Sequence, residues 1–215
     1  MIDPDTGRES IENAAERTIM AHYTGRPRFE WDEDGRIMTL LNRFAFVDDA
    51  RLVWSVPAMV QVDGASIPKF AWSILGSPFV GRYRKASVVH DWYCDIRTRE
   101  WKATHRMFYE AMRASKVSGA KARIMYAAVY YAGPRWDIAP DYDAELAETV
   151  AAEVYSLDQS AMAVGEQLER PELALWQRRQ VDEDAFVAMC DDFAKRCTSV
   201  EDVETMIDDH MGATE

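Results

Sequence analysis

Hydrophobic and polar side chains alternate between residues 28 and 62, where the chain first shows a regular pattern. Phe29 and Trp31 precede the pair Asp34-Gly35, after which an apolar run resumes. A period of two is typical of half-buried strands, and Asp-Gly suits the positive backbone angles of a tight turn. The predicted strands cover residues 29–31, 37–41, 44–47 and 51–56. The pattern therefore predicts a small antiparallel sheet built from hairpins.

The spacing of apolar residues becomes helical near residue 83. Positions three and four apart lie on one face of a helix. A helix over Tyr83–Arg97 therefore turns Ala86, Val89, His90 and Tyr93 to one side. Because the rest of this face is mainly apolar, we expect His90 to point into the core.

A second amphipathic helix is predicted from Trp101 to Met112. Its apolar stripe includes Phe108, and His105 occupies a position on that stripe. The intervening polar residues allow the chain to reverse direction. The two helices therefore predict a hairpin in which His90 and His105 face each other.

Helical patterns continue towards the end of the chain. Ser118 can cap a third helix that ends before Gly133-Pro134. Beyond residue 140 the sequence is acidic and almost purely helical in period, with a capping box at Thr198–Glu201. We expect an α+β fold, in which a small antiparallel sheet is followed by a three-helix core. The predicted divisions are an N-terminal arm (1–27), the α+β core domain (28–136) and an acidic all-helical extension (137–215).

Composition limits the classes of protein that fit. A chain of 215 residues with 48% hydrophobic side chains can bury one ordinary core and carry an appendage. It contains no apolar run of about eighteen residues, and its N-terminus lacks the order of a signal peptide. The three cysteines suggest no paired framework, so we expect reduced thiols. These features predict a protein made in a cytosol, without a transmembrane segment.

Charge is divided unevenly along the chain, although the net charge is −12. Residues 69–135 carry 13 Lys or Arg against 4 Asp or Glu, a balance of +9. Residues 137–215 carry 5 basic and 21 acidic residues, a balance of −16. Three interpretations remain open, namely that the acidic half covers the basic half, that it binds a basic partner, or that both are solvated helix faces.

Candidate chemistry is concentrated in the predicted helical hairpin. Two histidines, a carboxylate and a thiol lie within sixteen residues, as His90, Asp91, Cys94 and His105. Two imidazole nitrogens and one sulfur, with Asp91 or Asp63 as an oxygen donor, are acceptable zinc ligands, and a three-ligand set leaves a position for water. The alternative is that both histidines are core residues, each bonded to a backbone carbonyl or a hydroxyl. The sequence leaves both interpretations open, one with a bound metal and one without.

A compact turn precedes the hairpin in the sequence. Asp63, Gly64, Ser66 and Pro68 combine backbone freedom with short side chains that can bond the backbone. Asp63 is also a candidate for orienting His90, if the turn packs against the helices. The turn therefore has a structural interpretation and a catalytic one.

The central stretch resembles a domain family of unknown function carried by tailed phages and prophages. The residues that carry the resemblance are Val56-Pro57, Asp63-Gly64-Ala65-Ser66-Ile67-Pro68, Trp72, Gly76, Gly81, Tyr83, Ala86, His90-Asp91 and Phe108-Tyr109-Glu110-Ala111-Met112. The resemblance implies a phage or prophage origin and other phage or virion proteins as partners in an oligomeric assembly. It implies no reaction.

A more distant resemblance is to the His-Asp helix core of the type-A-two phospholipases. It implies His90 as general base and Asp91 as a calcium ligand. The loop carbonyls that would complete the calcium site are those of Leu75, Gly76 and Gly81. Two positions depart from that pattern, because His105 replaces the orienting aspartate and Cys94 replaces an expected tyrosine.

The function expected first is that of a phage- or prophage-derived binding protein, a virion component such as a tail, neck or capsid accessory piece. The alternative is a metal-dependent hydrolase of phospholipid, ester or cell-envelope material, with His90, Asp63 and His105 as catalytic residues and calcium or zinc as the metal. A second alternative is an anti-defence or regulatory protein that uses its acidic tail. Basic residues between positions 82 and 102 are candidates for binding nucleic acid or lipid headgroups. The expected location is the cytoplasm of the bacterial host and then the virion.

Overall fold

The fold is α+β, as the sequence predicts. A computed structural model describes residues 21–33, 35, 37–62, 81–138, 149 and 182–212. The strands in this part of the chain are β1 (His22–Thr24), β2 (Phe29–Trp31), β3 (Met38–Leu40), β4 (Phe44–Val47), β5 (Val53–Val56) and β6 (Gln61–Val62). The helices are α1 (Arg84–Ile96), α2 (Trp101–Ala114), α3 (Gly119–Ala132), α4 (Glu183–Lys195) and α5 (Val200–Gly212).

The strands form two antiparallel sheets of three strands each, with orders β1-β4-β5 and β2-β3-β6. The predicted antiparallel strands are therefore present, divided between two sheets. The division falls at Asn42, whose side chain accepts a hydrogen bond from Arg28 N at 2.7 Å and donates to Arg26 O at 3.3 Å. Asn42 thus lies between β3 and β4 and bonds the chain before β2. The first sheet also includes β1, which the sequence analysis assigned to the N-terminal arm.

The predicted turn between β2 and β3 is present. Gly35 has a φ of +65° between β2 and β3, where an Asp-Gly turn was expected. The turn between β4 and β5 is fixed by Asp48, whose carboxylate accepts from Leu52 N at 2.7 Å and from Trp54 Nε1 at 2.8 Å. The Asp48 carboxylate thus adds to two backbone hydrogen bonds of the turn, from Asp48 N to Leu52 O at 3.1 Å and from Arg51 N to Asp48 O at 3.0 Å.

The three central helices match their predicted positions closely. Tyr83 and Arg97 flank α1, and the left-handed backbone of Arg97 (φ 53°) ends it. Ser118 caps α3 by accepting a hydrogen bond from Lys121 N. The buried face of α2 consists of Thr104, His105, Met107, Phe108, Ala111 and Met112. The three helices pack in sequence order, and the core lies between them and the sheets.

The acidic helices α4 and α5 pack against α3. Phe186 and Phe193 of α4 are fully buried, and Phe186 stacks on Tyr131 with ring centroids 5.8 Å apart. The capping box of α5 lies one residue later than predicted, because Ser199 and Asp202 accept from each other's backbone N–H. The extension therefore contributes apolar side chains to the same core.

The opposite charges of the two parts of the chain meet at Glu204 of α5. Its carboxylate accepts from Arg106 Nε at 2.7 Å and Nη2 at 2.8 Å, from Lys102 Nζ at 2.7 Å and from the hydroxyl of Tyr126. Arg123 of α3 donates to two carbonyls at the end of α4. In the part described, the acidic extension thus covers basic residues of α2 and α3, which is one of the three interpretations of the charge pattern.

None of the helices in the described ranges combines the length and apolar character that a membrane span requires.

Candidate functional site

The helical hairpin brings His90 and His105 into direct contact. His90 lies on the buried face of α1 and His105 on that of α2, and both side chains have an exposed fraction of 0%. His90 Nε2 is 2.8 Å from His105 Nδ1, which is hydrogen-bond distance. The left-handed residue Arg97 between the helices allows this reversal of the chain. The spacing of the sequence thus placed the two rings on the correct faces.

The backbone of Pro134 fixes which nitrogen of each ring carries a proton. His105 Nε2 is 3.2 Å from Pro134 O, and a carbonyl oxygen only accepts hydrogen bonds. His105 Nε2 therefore carries a proton, and in the neutral ring Nδ1 is the acceptor. His90 Nε2 must then donate to His105 Nδ1, which leaves His90 Nδ1 with its lone pair. The two rings form a directed chain of hydrogen bonds that ends on the backbone.

Gly133 positions that backbone carbonyl. It follows α3 directly, and its N–H donates to Val129 O at 2.8 Å. A Cβ atom at Gly133 would overlap Val129 O. Only glycine therefore allows this close approach, which delivers the Pro134 carbonyl to His105.

Cys94 completes a compact group of donor atoms. It lies one helical turn after His90, and its Sγ is 3.6 Å from Nε2 and 3.8 Å from Nδ1 of that ring. The ligand atoms of His90, Cys94 and His105 all lie within 4.8 Å of one another. Cys94 is buried, with an exposed fraction of 2%. The group has the donor types that a zinc ion takes.

Aromatic side chains surround the group. The ring of Phe108 lies 4.6 Å from that of His90, and Trp101 and Trp136 approach His105 edge-on at 5.6 and 6.4 Å. Trp136 is held by a hydrogen bond from its Nε1 to Arg99 O at 2.7 Å. These rings separate the histidines from water and lower the polarity of their surroundings.

This apolar environment keeps both histidines neutral. Burial lowers the pKa of His90 well below its usual value, and the nearby His105 lowers it further. Burial also lowers the pKa of His105, with a further contribution from the charge of Arg135, while the bond to Pro134 opposes the shift. Desolvation penalises the charged form of an imidazole. Neither ring is therefore protonated on both nitrogens near neutral pH.

The remaining predicted site residues do not join this group. Asp91 is buried in α1, with an exposed fraction of 3%, but is not among the clustered donors of the described residues. Gly81 is exposed before α1 and has a φ of +94°. The candidates that lie outside the described residues are Asp63, Gly64, Ser66, Pro68, Leu75 and Gly76. The calcium arrangement and the orienting role of Asp63 therefore stay predictions.

Several basic residues between positions 82 and 102 make contacts inside the protein. Lys102 pairs with Glu204, and the Arg99 guanidinium lies 4.2 Å from the ring centroid of Trp54. Arg97 Nε donates to Cys94 O, and Lys85 lies 5.2 Å from the ring centroid of Tyr23. Arg82 is exposed. The basic stretch is thus only partly available to an anionic partner.

The sequence did not predict two contacts of α2, the bond of Pro134 O with His105 and that of Glu204 with Arg106. Pro134 was identified only as a helix terminator, because a backbone acceptor leaves no trace in side-chain periodicity. Glu204 was one acidic residue among many on the last helix. Its position on the buried face with Val203 and Ile207 was the available signal, since an acidic residue on an apolar face needs a cationic partner.

Residues 38–129 match a family described as "Protein of unknown function (DUF1353)". The match runs from β3 into α3, so it includes His90, Cys94 and His105 but neither Pro134 nor the acidic helices. Two curated proteins of Sinorhizobium fredii are similar. "Uncharacterized protein y4jT" is 48% identical over a stretch that covers 53% of this chain and 31% of that protein. "Uncharacterized protein y4iH" is 45% identical over 43% of this chain and 39% of that protein. This chain thus spans about a third of each. No solved structure is significantly similar to it.

Proposed function

We propose that this protein acts by binding, as a component of a phage- or prophage-derived assembly such as a tail, neck or capsid accessory piece. The observation that carries this proposal is the exposure of the apolar side chains of Leu52 and Val53, and the burial of His90 weighs against the catalytic alternative. A general base must come within hydrogen-bond distance of the proton that it removes. His90 has no exposed surface and already uses Nε2 to bond His105. His90, the residue that best matches a catalytic base, is therefore a packed core residue.

The surface of the first sheet supports a binding role. Leu52 and Val53, at the start of β5, have exposed fractions of 46% and 49%. Among the described residues β5 lies at the edge of its sheet, and side chains already bond its outward backbone, since Tyr93 OH accepts from Ser55 N at 3.0 Å and Arg99 Nη2 donates to Val53 O at 2.8 Å. A partner would therefore contact the exposed apolar side chains and not pair with the strand. Exposed apolar side chains beside a sheet edge are typical of protein contacts. We propose that a protein partner in the assembly covers this edge.

The phage origin rests on the resemblance of the central motifs. A similar segment occurs within two longer proteins, which supports a domain that works as part of a larger protein or assembly. A protein of this kind is made in the cytoplasm of the bacterial host and then joins the particle.

The proposal is tested with the full-length protein and particles produced by the same host. Sedimentation separates free protein from protein bound to particles, and light scattering measures its oligomeric state. We expect co-sedimentation for the native protein and for Val187→Asp, but at least about tenfold weaker binding for Val53→Asp. The two valines are similarly exposed, at 52% and 49%, so Val187 on α4 is a matched control. A native protein that stays monomeric and never sediments with particles would exclude the proposal.

A metal-dependent hydrolase is the second candidate, and the donor group of His90, Cys94 and His105 favours it. A metal ion can hold a developing negative charge on an ester oxygen and activate water. The test is hydrolysis of phospholipid vesicles and simple esters with added zinc or calcium. Activity that His90→Asn abolishes, while the circular dichroism spectrum is unchanged, would support the hydrolase. No hydrolysis by the native protein with either metal would exclude it for these substrates.

A further inference from the structure

We propose that His90, Cys94 and His105 form a structural zinc site that joins α1 to α2. The three donor atoms lie within 4.8 Å of one another, and each belongs to a buried residue. Two imidazole nitrogens and a sulfur are ligands that zinc accepts. Calcium takes about six to eight oxygen ligands and does not suit this group. The inference goes beyond the proposed binding function and does not depend on it.

Two of the three distances between donors are close to those of a zinc site, and all three lie within 4.8 Å. On a tetrahedral zinc ion, nitrogen and sulfur ligands lie about 3.6 Å apart and two nitrogens about 3.3 Å apart. Cys94 Sγ is already 3.6 Å from His90 Nε2. The two nitrogens are 2.8 Å apart because a proton joins them. Zinc would replace that proton, and the rings would separate by about 0.5 Å.

His105 already has the tautomer that a zinc ligand needs. Its Nε2–H bonds Pro134 O, so its Nδ1 lone pair points towards His90. A backbone carbonyl on the other nitrogen is the usual way in which proteins orient a metal-binding histidine. The bond to Pro134 O does not depend on the distances among the three donors, and it also indicates Nδ1 of His105 as the ligand atom.

Binding would rearrange two protons. The Cys94 thiol would release its proton to solvent and bind zinc as the thiolate. The proton on His90 Nε2 would move to Nδ1 of the same ring, which frees Nε2 for the metal. The balance is one zinc ion bound and one proton released for each chain. This release provides a readout that catalysis does not affect.

Burial indicates a structural site. Phe108, Trp101 and Trp136 enclose the two histidines. Zinc at this place would tie the two helices of the hairpin together, and its binding energy would add to the stability of the fold. Three protein donors leave a fourth position for water.

The first experiment measures the metal content of the full-length protein by mass spectrometry after refolding with zinc and removal of free metal. We expect about one zinc ion per chain, since the described residues hold one such group. Cys94→Ala and His105→Asn should each bind zinc at least about tenfold more weakly. Cys190→Ala and His22→Asn are matched controls outside the site, and both should keep the metal. Zinc retained in both site variants would overturn the proposal.

The second experiment replaces zinc with cobalt in the native protein. A thiolate ligand gives cobalt a charge-transfer absorption band in the near ultraviolet. We expect this band in the native protein and in Cys190→Ala, and its loss in Cys94→Ala. If Cys94→Ala does not fold, the native protein still decides the question. A folded native protein that binds neither zinc nor cobalt would overturn the site, and the particle-binding proposal would be unaffected.

Discussion

Glu204 of α5 holds Arg106 of α2 through two parallel hydrogen bonds, at 2.7 Å to Nε and 2.8 Å to Nη2. This bidentate contact joins the acidic extension to the basic central helices. Glu204 is 7% exposed, whereas Arg106 is 38% exposed, so the carboxylate is the buried partner. Its burial is tolerated because Lys102 and Tyr126 also donate to it.

Replacing Glu204 by alanine should destabilise the protein by about 3 kcal/mol, because a cationic cluster at a buried position would lose its acceptor. Urea denaturation followed by circular dichroism measures this difference. Glu201→Ala is the matched control, since Glu201 also contacts Arg106, at 3.2 Å, but is 60% exposed. An exposed pair contributes less than about 1 kcal/mol. Equal effects of the two substitutions would contradict a special role for Glu204.

Acid should weaken the same contact. Burial raises the pKa of Glu204, but the bonds from Arg106, Lys102 and Tyr126 outweigh it and lower the pKa from 4.5 to about 2. The folded protein therefore holds this carboxylate ionised where the unfolded chain is already protonated. The stabilisation is complete above pH 4.5 and is lost as the pH falls towards about 2.

The measurement compares the native protein with Glu204→Gln in urea at several pH values from 6 down to 3. We expect the gap between their free energies of unfolding to narrow as the pH falls below 4.5. Glutamine does not titrate, so other acidic groups contribute equally to both proteins. A gap that stays constant over this range would show that Glu204 is not the titrating group.

Replacing His105 by phenylalanine should cost about 2–3 kcal/mol, because His90 Nε2–H and Pro134 O lose their partner inside the core. The metal-free protein is the proper sample, and thermal unfolding measures the change. His22→Phe is the control, since His22 is exposed on β1. In a double-mutant cycle, His90→Phe should lower the free energy of unfolding less in the His105→Phe variant than in the native protein. The reason is that His105→Phe has already removed the partner of His90. Additive costs would mean that the two rings are not coupled.

Gly133→Ala should destabilise the protein by about 2 kcal/mol or more, because the added Cβ meets Val129 O and the backbone must move. The movement would also displace the carbonyl of Pro134. Nitrogen NMR of the His105 ring reports this, because the ring would lose its fixed tautomer. Gly212→Ala is the control, since a Cβ there meets nothing within 4 Å. An unchanged melting temperature for Gly133→Ala would contradict the close approach.

Local patterns were sufficient for the elements of the core. The period of apolar residues located α1 and α2, and Ser118 marked the start of α3. These features depend on contacts between residues three or four positions apart, which a sequence displays directly. The division of the strands into two sheets was harder to predict from the sequence. Asn42 lies where they divide and bonds the backbone of residues 26 and 28, and no periodicity records such a contact.

The sequence by itself determined the α+β class, the helical hairpin and the faces on which His90 and His105 lie, because helical spacing fixes which side chains share a face. Only the tertiary structure decided that the two rings bond each other, that Cys94 joins them and that Pro134 fixes their protons. It also decided that Glu204 binds Arg106, across 98 residues of sequence. Such contacts depend on distances between elements far apart in the chain, which only packing of the whole core can set.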